Sequence, residues 1–465
     1  MKTFRIGGIH PHDEKLSAGS SIKVLPIPKE VKVPVSQHIG APATPIVKVG
    51  DVVKTGQLIA QATGFVSANI HSPVSGTVKK IEDFVDGNGY RKPAIIITVQ
   101  GDEWAEGIDT TTAIRREITL EPAEIIKKVQ EMGIVGMGGA TFPAHVKLSV
   151  PPGKKCEALI INGVECEPYL TSDHRLMLEK GQEVMIGVKI LMKALGVGKA
   201  YIGIENNKKD AIENLQRLST NFEGIEVVPL KLKYPQGGEK QLIDACIRRQ
   251  VPSGKLPIDV GAVVQNVGTV YAIYEAVQKN KPLIERIVCV TGKPLREPSN
   301  FLVRIGTPVK ELLDATGGLP ETAAKVIGGG PMMGRAMVHT DVPVVKGTSG
   351  ITVMDEKDAK RQPMQNCIRC AKCVSVCPMG LEPYLLSKLS MLNRLEDLRA
   401  ENVMDCIECG SCSFTCPSSR PLLDYIRLGK GRVGAQLRAE AAAKKAAAEA
   451  EKAKAEAEKK ETANA

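Results

Sequence analysis

Residues 36–81, SQHIGAPATPIVKVGDVVKTGQLIAQATGFVSANIHSPVSGTVKKI, alternate short β-branched runs with Gly-Asp, Thr-Gly and Pro-Val-Ser-Gly turns. That pattern predicts a compact β fold of hairpins, assigned to a first domain over residues 1–100. GDEWAEGIDTTTAI is polar and has no period, so residues 101–118 read as a linker. From Glu121 the apolar period becomes helical, and EPAEIIKKVQEM carries Pro at the second position, a helix start. Strand-like runs (ALIING, AYIGIE, IEVVPL) then alternate with helix-like ones (EVMIGVKILMKAL, KKDAIENLQRL). Such alternation predicts a layered α/β domain, here over 119–285. Residues 286–345 suggest short strands around one helix, a small α+β domain, and 346–363 a second linker. Beyond Arg432, AEAAAKKAAAEAEKAKAEAEKK is helix-prone and polar all round, so residues 426–465 read as a solvated helix or a frayed tail.

A chain of 465 residues holds several domains, and 43% hydrophobic residues exclude global disorder. Aromatics at 3% argue against a surface that stacks nucleic-acid bases. The net charge of +10 is spread along the chain and suits an acidic partner or an anionic membrane surface. The opening MKTFRIGGIHPHDEK has no apolar signal-like core, and no run of apolar residues is long enough to cross a bilayer. The expectation is a protein that is soluble or reaches a membrane only through partners.

Eight of the 12 cysteines lie in CIRCAKCVSVCP, from Cys367, and CIECGSCSFTCP, from Cys406. Both read C-x2-C-x2-C-x3-C-P, which supplies one thiolate per iron of a 4Fe–4S cube. In two-cluster ferredoxins the fourth cysteine of each run serves the other cluster. The expected ligands are Cys367, Cys370, Cys373 and Cys416 for one cluster, and Cys406, Cys409, Cys412 and Cys377 for the second. Zinc sites usually show two separated pairs instead. Cys156, Cys166, Cys246 and Cys289 share no spacing and read as small buried side chains.

GMGGATFP, Gly136 to Pro143, lets backbone approach a ligand without a Cβ in the way, and consecutive N–H groups there suit a phosphate or flavin edge. GIVGMGGATFPAHVKL, INGVECEPYLTSDHRLM, YPQGGEKQLI and VVQNVGTV follow one another in an order that resembles the FMN- and NADH-binding subunit of respiratory complex I. The resemblance implies FMN on Gly136, Gly138 and Gly139, with Lys147, Asn162, Glu165 and Asn266 around it and Gly237 and Gly238 approaching from a second loop. It places Phe142, Glu167, Tyr234 and Glu239 at the nucleotide side. The pattern departs at Val164, where the family has an acidic residue, and at Val150, where it has an aromatic.

VGDVVKTGQLIA and HSPVSGTV are similar to biotinyl/lipoyl barrel-sandwich domains, but Phe65 stands where the modified lysine would be, so no swinging arm is expected. Taken in order, the GGIHP opening, this barrel, the flavin motifs and the paired cysteine runs resemble the C-subunit family of the Rnf electron-transport complexes. The implied fold class is multidomain α/β and β: a barrel-sandwich hybrid, a complex-I-flavoprotein-like α/β domain, a β-grasp domain over 286–345 and a double-cluster ferredoxin domain over 364–425. The implied activity is that of an NAD-linked oxidoreductase subunit with FMN, NAD(H) and two 4Fe–4S clusters. The implied setting is the cytoplasmic face of the inner membrane, among an iron–sulfur subunit and integral membrane subunits, with no nucleic acid. A cobalamin reductase-like flavoprotein and a non-catalytic cluster-bearing scaffold are the alternatives.

Overall fold

The computed structural model describes the backbone of residues 1–463 and the side chains through residue 448. The chain forms two compact units, Met1–Arg5 with His10–Arg361, and Ile6–Ile9 with Gln362–Ala465.

In the first unit, β1 (Ile22–Val24) precedes seven strands: β2 (Glu30–Pro34), β3 (Thr44–Pro45), β4 (Val52–Val53), β5 (Leu58–Gln61), β6 (Ile70–His71), β7 (Ser75–Val85) and β8 (Arg91–Gly101). They form two antiparallel sheets, β2-β8-β7-β4 and β3-β5-β6. Alternate positions such as Val31 and Val33, or Ile95 and Ile97, share one core with Ile59 and Val78. This is the period-two pattern of strands that bury one face. β1 lies outside this barrel and joins a later sheet, so the barrel-sandwich strands begin at Glu30.

The α/β layer comprises α1 (Pro122–Glu131), α2 (Ala144–Leu148), β9 (Ala158–Asn162), α3 (Ser172–Glu179), α4 (Gly181–Leu195), β10 (Ala200–Glu205), α5 (Lys209–Ser219), β11 (Ile225–Leu230), α6 (Glu239–Ile247), β12 (Ala262–Asn266) and α7 (Val267–Lys279). Pro122 opens α1, where its missing N–H costs nothing. The sheet is wholly parallel, in the order β11-β10-β9-β12. The chain therefore steps outward in one direction from β9 and then returns to its other side. That reversal leaves a crevice beyond the carboxyl ends of β9 and β12, where open α/β sheets bind ligands.

A six-stranded sheet, β1-β14-β13-β17-β15-β16, follows: β13 (Glu285–Thr291), β14 (Ser299–Arg304), α8 (Val309–Asp314), β15 (Ala323–Gly328), β16 (Arg335–Ala336) and β17 (Gly350–Asp355). Residues 350–355, read from the sequence as linker, are β17, an internal strand with Ile351 and Val353 buried. The alternation in GITVMD is short and runs straight into the charged DEKDAKRQ, which hid it. α9 (Glu356–Ala359) ends this unit's regular structure. Lys346, fully buried, donates to the Asn69 and Gly133 carbonyls at 2.7 Å each, tying the barrel and the α/β layer to this sheet. Burial pushes its ammonium down to about 7.

The second unit holds α10 (Lys372–Ser375), α11 (Pro383–Met391), α12 (Leu395–Ala400), α13 (Ser411–Phe414) and α14 (Leu422–Ala463). Its core joins Leu386, Leu389, Leu398, Val403, Leu422, Ile426 and Val433, with Leu437 packed against it. The long terminal helix thus does have an apolar stripe over its first turns, extending past Arg432. Its side chains beyond residue 448, on which the expectation of a solvated tail partly rests, lie outside the described residues.

Candidate functional site

At the end of β12, Asn266 caps α7: its Oδ1 accepts from the Gly268 and Thr269 amides at 2.8 and 3.3 Å. Its Nδ2 donates to Asp173 Oδ2 at 2.7 Å. Burial, and next the Glu165 carboxylate, push Asp173 up to about 7. Glu165 lies at φ 45° and accepts from the Asp173 and His174 amides, satisfying the first turn of α3.

The glycine loop sits beside this cap. Val135 bridges to Pro143, and the Gly136 amide donates to the Phe142 carbonyl at 2.8 Å, closing the loop at its base. The Met137 amide donates to Thr269 Oγ1 at 2.8 Å, pinning the loop to α7. Gly138, Gly139 and Ala140 are exposed, and among the described residues no hydrogen bond takes up their amides. A Cβ on Gly138 would lie 3.4 Å from Asn266 Cβ, and Gly139 has φ +113°. Three consecutive free amides on an exposed loop are the donor set that a phosphate or a flavin edge takes up.

The second loop is clamped to the end of β9. Asn162 Nδ2 donates to the Gly237 carbonyl at 2.9 Å, and the Gly237 amide donates to Cys166 Sγ at 3.4 Å. Glu239 begins α6 and pairs with Lys147 of α2 at 2.6 Å, while Lys147 also reaches the Val264 carbonyl at 3.2 Å. Gly138 and Asn266, Lys147 and Glu239, and Asn162 and Gly237 are therefore paired at the carboxyl ends of β9 and β12, with Glu165 joined to Asn266 through Asp173.

Glu167, Tyr234, Phe142, Val164, Val150 and Phe65 stand apart from this group. Glu167 accepts from the Met332 and Met333 amides at 3.1 and 2.6 Å, so its carboxylate holds the glycine-rich turn after β15. Tyr234 is buried, and Phe142 is half-buried. Val164 is fully buried among Ile160, Leu230 and Leu242, which explains an apolar residue there. Val150 packs against the large α/β core. Phe65, at the vacant lipoyl position, meets His145 edge-on, with ring centroids 5.8 Å apart, and its carbonyl accepts from His145 Nε2 at 2.9 Å. The hairpin that carries the swinging arm in lipoyl domains is here docked on α2, two residues from Lys147.

In the second unit Cys377, Cys406, Cys409 and Cys412 line one small cavity, walled by Leu381, Leu386, Leu423 and Ile426. Cys377 comes from the first run and the other three from the second, the crossed set read from the spacing. Burial pushes Cys406 up to about 11 and Cys412 to about 12, with neighbouring thiols, Cys377 among them, adding to both shifts. Cys373 is likewise raised by burial, and Cys416 lies near enough to contribute. Cys367 and Cys370 are exposed. Among the described residues no group of acidic, His or Cys side chains converges to hold a single metal ion. Four thiols around one cavity can supply one ligand per iron of a 4Fe–4S cube. The Leu381 and Glu408 amides donate to Cys377 and Cys406 Sγ at 3.4 Å each, bonds of the kind that tune cluster potentials. Cys156, Cys246 and Cys289 are buried, as small apolar residues would be.

Sequence reasoning missed Asp173, Cys166 and Lys15. Lys15 Nζ donates to the Glu165, Glu167 and Leu170 carbonyls at 2.7–2.9 Å and so shapes the loop after β9. Cys166 and Asp173 lie inside the INGVECEPYLTSDHRLM motif, where they could have been found, whereas Lys15 stands far from it in the chain.

A parallel sheet with a glycine loop at its reversal point, joined to a second glycine-rich sheet and a double cysteine run, defines an iron–sulfur flavoprotein of the complex I type. Residues 129–275 match the Nuo51 FMN-binding domain, 2–102 the RnfC barrel sandwich hybrid domain, 287–336 the SLBB domain and 366–420 the 4Fe-4S dicluster domain. The chain is 49% identical over 447 residues to the C subunit of the proton-translocating ferredoxin:NAD(+) oxidoreductase complex of Clostridium ljungdahlii, over 95% of this chain and 96% of that one. It is 46% identical to the Na(+)-translocating counterpart of Acetobacterium woodii, over 94% of this chain and 98% of that one. It is 43% identical to the C subunit of the ion-translocating oxidoreductase complex of Rhodobacter capsulatus, over 93% of this chain and 84% of that one. The NAD+-reducing [NiFe]-hydrogenase in its H2-reduced state shares the fold, with a TM-score of 0.50 at 18% identity over 66% of this chain and 61% of that one. The chain belongs to the C-subunit family of the ion-translocating ferredoxin:NAD(+) oxidoreductase, or Rnf, complexes.

Proposed function

We propose that this chain is the NADH-binding, FMN- and iron–sulfur-containing peripheral subunit of such a complex, passing electrons between NAD(H) and ferredoxin-like partners with ion translocation coupled elsewhere in the assembly. The observation that carries the reading is the pairing, in one chain, of a glycine-loop crevice at a sheet reversal with a crossed four-thiol cavity. Bound FMN supplies the exchange between two-electron hydride transfer and one-electron transfer to a cluster.

The chain's own residues position these groups. The Gly138–Ala140 amides offer donors to the phosphate or flavin edge, and Asn266, held by Asp173, fixes the crevice floor. The Gly237–Gly238 loop, gripped by Asn162 and Cys166, sets the opposite wall. Lys147 and Glu239 place one charge of each sign at the mouth. Glu167, engaged with the Met332–Met333 turn, serves the nucleotide side by fixing that turn. Two 4Fe–4S clusters are assigned to Cys367, Cys370, Cys373 and Cys416, and to Cys377, Cys406, Cys409 and Cys412. No general base is required, so none is assigned.

No described helix is long and apolar enough to cross a membrane; we assign the chain to the cytoplasmic face of the membrane, attached through integral membrane subunits. Relatives of nearly equal identity are named for protons and for Na(+), which supports an ion path outside this polypeptide. If charge-mediated docking holds the chain to its partners, molar salt releases it from membranes, because ionic contacts are then screened within about 3 Å. Retention until detergent is added points instead to a large apolar interface. The test of the function is flavin content and NADH bleaching of the purified full-length chain. Bleaching with about one FMN per chain supports the converter, and flavin-free protein that folds correctly and ignores added FMN supports the scaffold reading.

A further inference from the structure

The sequence opens on a glycine pair, Gly7–Gly8, that neither the flavin chemistry nor the cysteine spacing uses. Ile6–Ile9 belong to the second unit, with the cysteine runs, and apart from the residues on either side of them in the chain. The Gly8 amide donates to the Val376 carbonyl at 2.9 Å. Gly7 has φ +65° and Gly8 φ +94°, both in the left-handed region that side chains disfavour. A Cβ on Gly7 would lie 2.5 Å from both the carbonyl carbon and the carbonyl oxygen of Cys377, and 2.6 Å from the Val376 oxygen. These are backbone atoms, so the clash cannot be relieved by a side chain turning aside. Ile9, at the end of the segment, is buried.

Cys377 is the ligand that crosses from the first run to the buried cavity, and its Sγ already accepts the Leu381 amide. Its seat is thus set from two sides, by the turn that follows it and by the N-terminal segment pressed on its peptide. Its counterpart in the second run is held differently. Among the described residues, the Thr415 and Cys416 backbone bonds only to near neighbours in the chain, Ser411, Ser413 and Ser419.

We propose that Gly7 is a positioning residue for the cluster of Cys377, Cys406, Cys409 and Cys412, and that the segment Ile6–Ile9 buttresses the crossing ligand. The proposal rests on the two-cluster reading above. Gly7→Ala in the full-length chain displaces the Cys377 peptide, so the buried cluster is lost or its potential and electron paramagnetic resonance line shape change. The signal of the other cluster and the FMN content stay as in the parent protein. Gly19→Ala, at a glycine with open space around it, serves as the control and leaves both signals unchanged.

The experiment compares iron content and spectra of the reduced chains, together with hydrogen exchange at the Gly8 amide before and after the clusters are removed with a chelator. The expected result is a change confined to one cluster in Gly7→Ala, and faster exchange at Gly8 once that cluster is stripped. Two parent-like cluster signals in Gly7→Ala would overturn the proposal. If that variant does not fold, Gly8 exchange in the parent protein that ignores cluster removal would overturn it equally. A parent protein showing only one cluster signal would sink the two-cluster reading itself, a separate outcome.

Discussion

The first cysteine run and the second turn through matching left-handed positions: Arg369 and Glu408, Ala371 and Gly410, Gly380 and Ser419. A four-residue helix follows the second cysteine in each, α10 and α13. Cys367 and Cys370 are nevertheless exposed, whereas Cys409 and Cys412 are 7% and 8% exposed. The spelling C-x2-C-x2-C-x3-C-P sets the backbone path, but the elements around it set the environment. The second run lies against Leu386 of α11 and Leu423 and Ile426 of α14, while the residues leading into the first run, 360–371, have neither helix nor strand. Exposure and hydrogen bonds to sulfur both tune cluster potentials, so two clusters of one composition can stand at different potentials in one chain.

Removing the crossing ligands tests that contrast most severely. Cys377→Ala should abolish the buried cluster, a loss of about four irons per chain, and leave the cluster of Cys367, Cys370 and Cys373 in place. Cys416→Ala should do the reverse. Spectra of the double variants decide: if Cys377→Ala were redundant with Cys367→Ala, the crossed assignment would be wrong.

Chelation should separate the runs next. With Cys367 and Cys370 open to solvent, iron should leave in two phases, roughly half of it in the faster. Cluster absorbance followed over time measures this, and a single phase would mean that burial does not distinguish the sites.

A smaller effect is expected from the wall of the cavity. Ile426 is 1% exposed, and Ile426→Ala should cost about 2–5 kcal/mol in the stability of the helical core, read from denaturant unfolding. The loss of iron on mild heating should fall on the buried cluster. Equal loss from both clusters would show that α14 supports them alike.

The smallest effect concerns charge. Lys430 donates to the Cys406 carbonyl at 2.6 Å and pairs with Glu408 at 3.1 Å. Because reduction adds negative charge, Lys430→Gln should lower the potential of the buried cluster slightly and leave the other unmoved. Redox titration with spectroscopic detection checks both the sign and the selectivity.

Much of this architecture was legible because its signals are local. The cysteine spacing anticipated that Cys377 would share a cavity with Cys406, Cys409 and Cys412, and the switch from period two to a helical period located the barrel and the α/β layer. Pro122 marked the start of α1. What escaped was whatever depends on chain segments distant in sequence. β1 pairs with β14, Ile22 with Asn300, and nothing in IKV announces that partner. Asp173 reached the site only because α3 packs under the cap of α7. Glu167 stands in a nucleotide-site motif, yet its carboxylate is engaged with amides from another sheet. The apolar stripe that begins at Leu422 was cut in two by reading the tail from Arg432, where alanine and charge take over.

The central claim is that electrons from NADH reach the clusters only through the flavin at the β9–β12 crevice. The direct test mixes the full-length chain with NADH, with and without bound FMN, and freezes samples over time to follow cluster reduction. With FMN present, flavin bleaching should precede cluster reduction, and Gly138→Trp, which fills the crevice beside Asn266, should block both while leaving iron in place. Clusters that are reduced by NADH at an undiminished rate in flavin-free protein would contradict it.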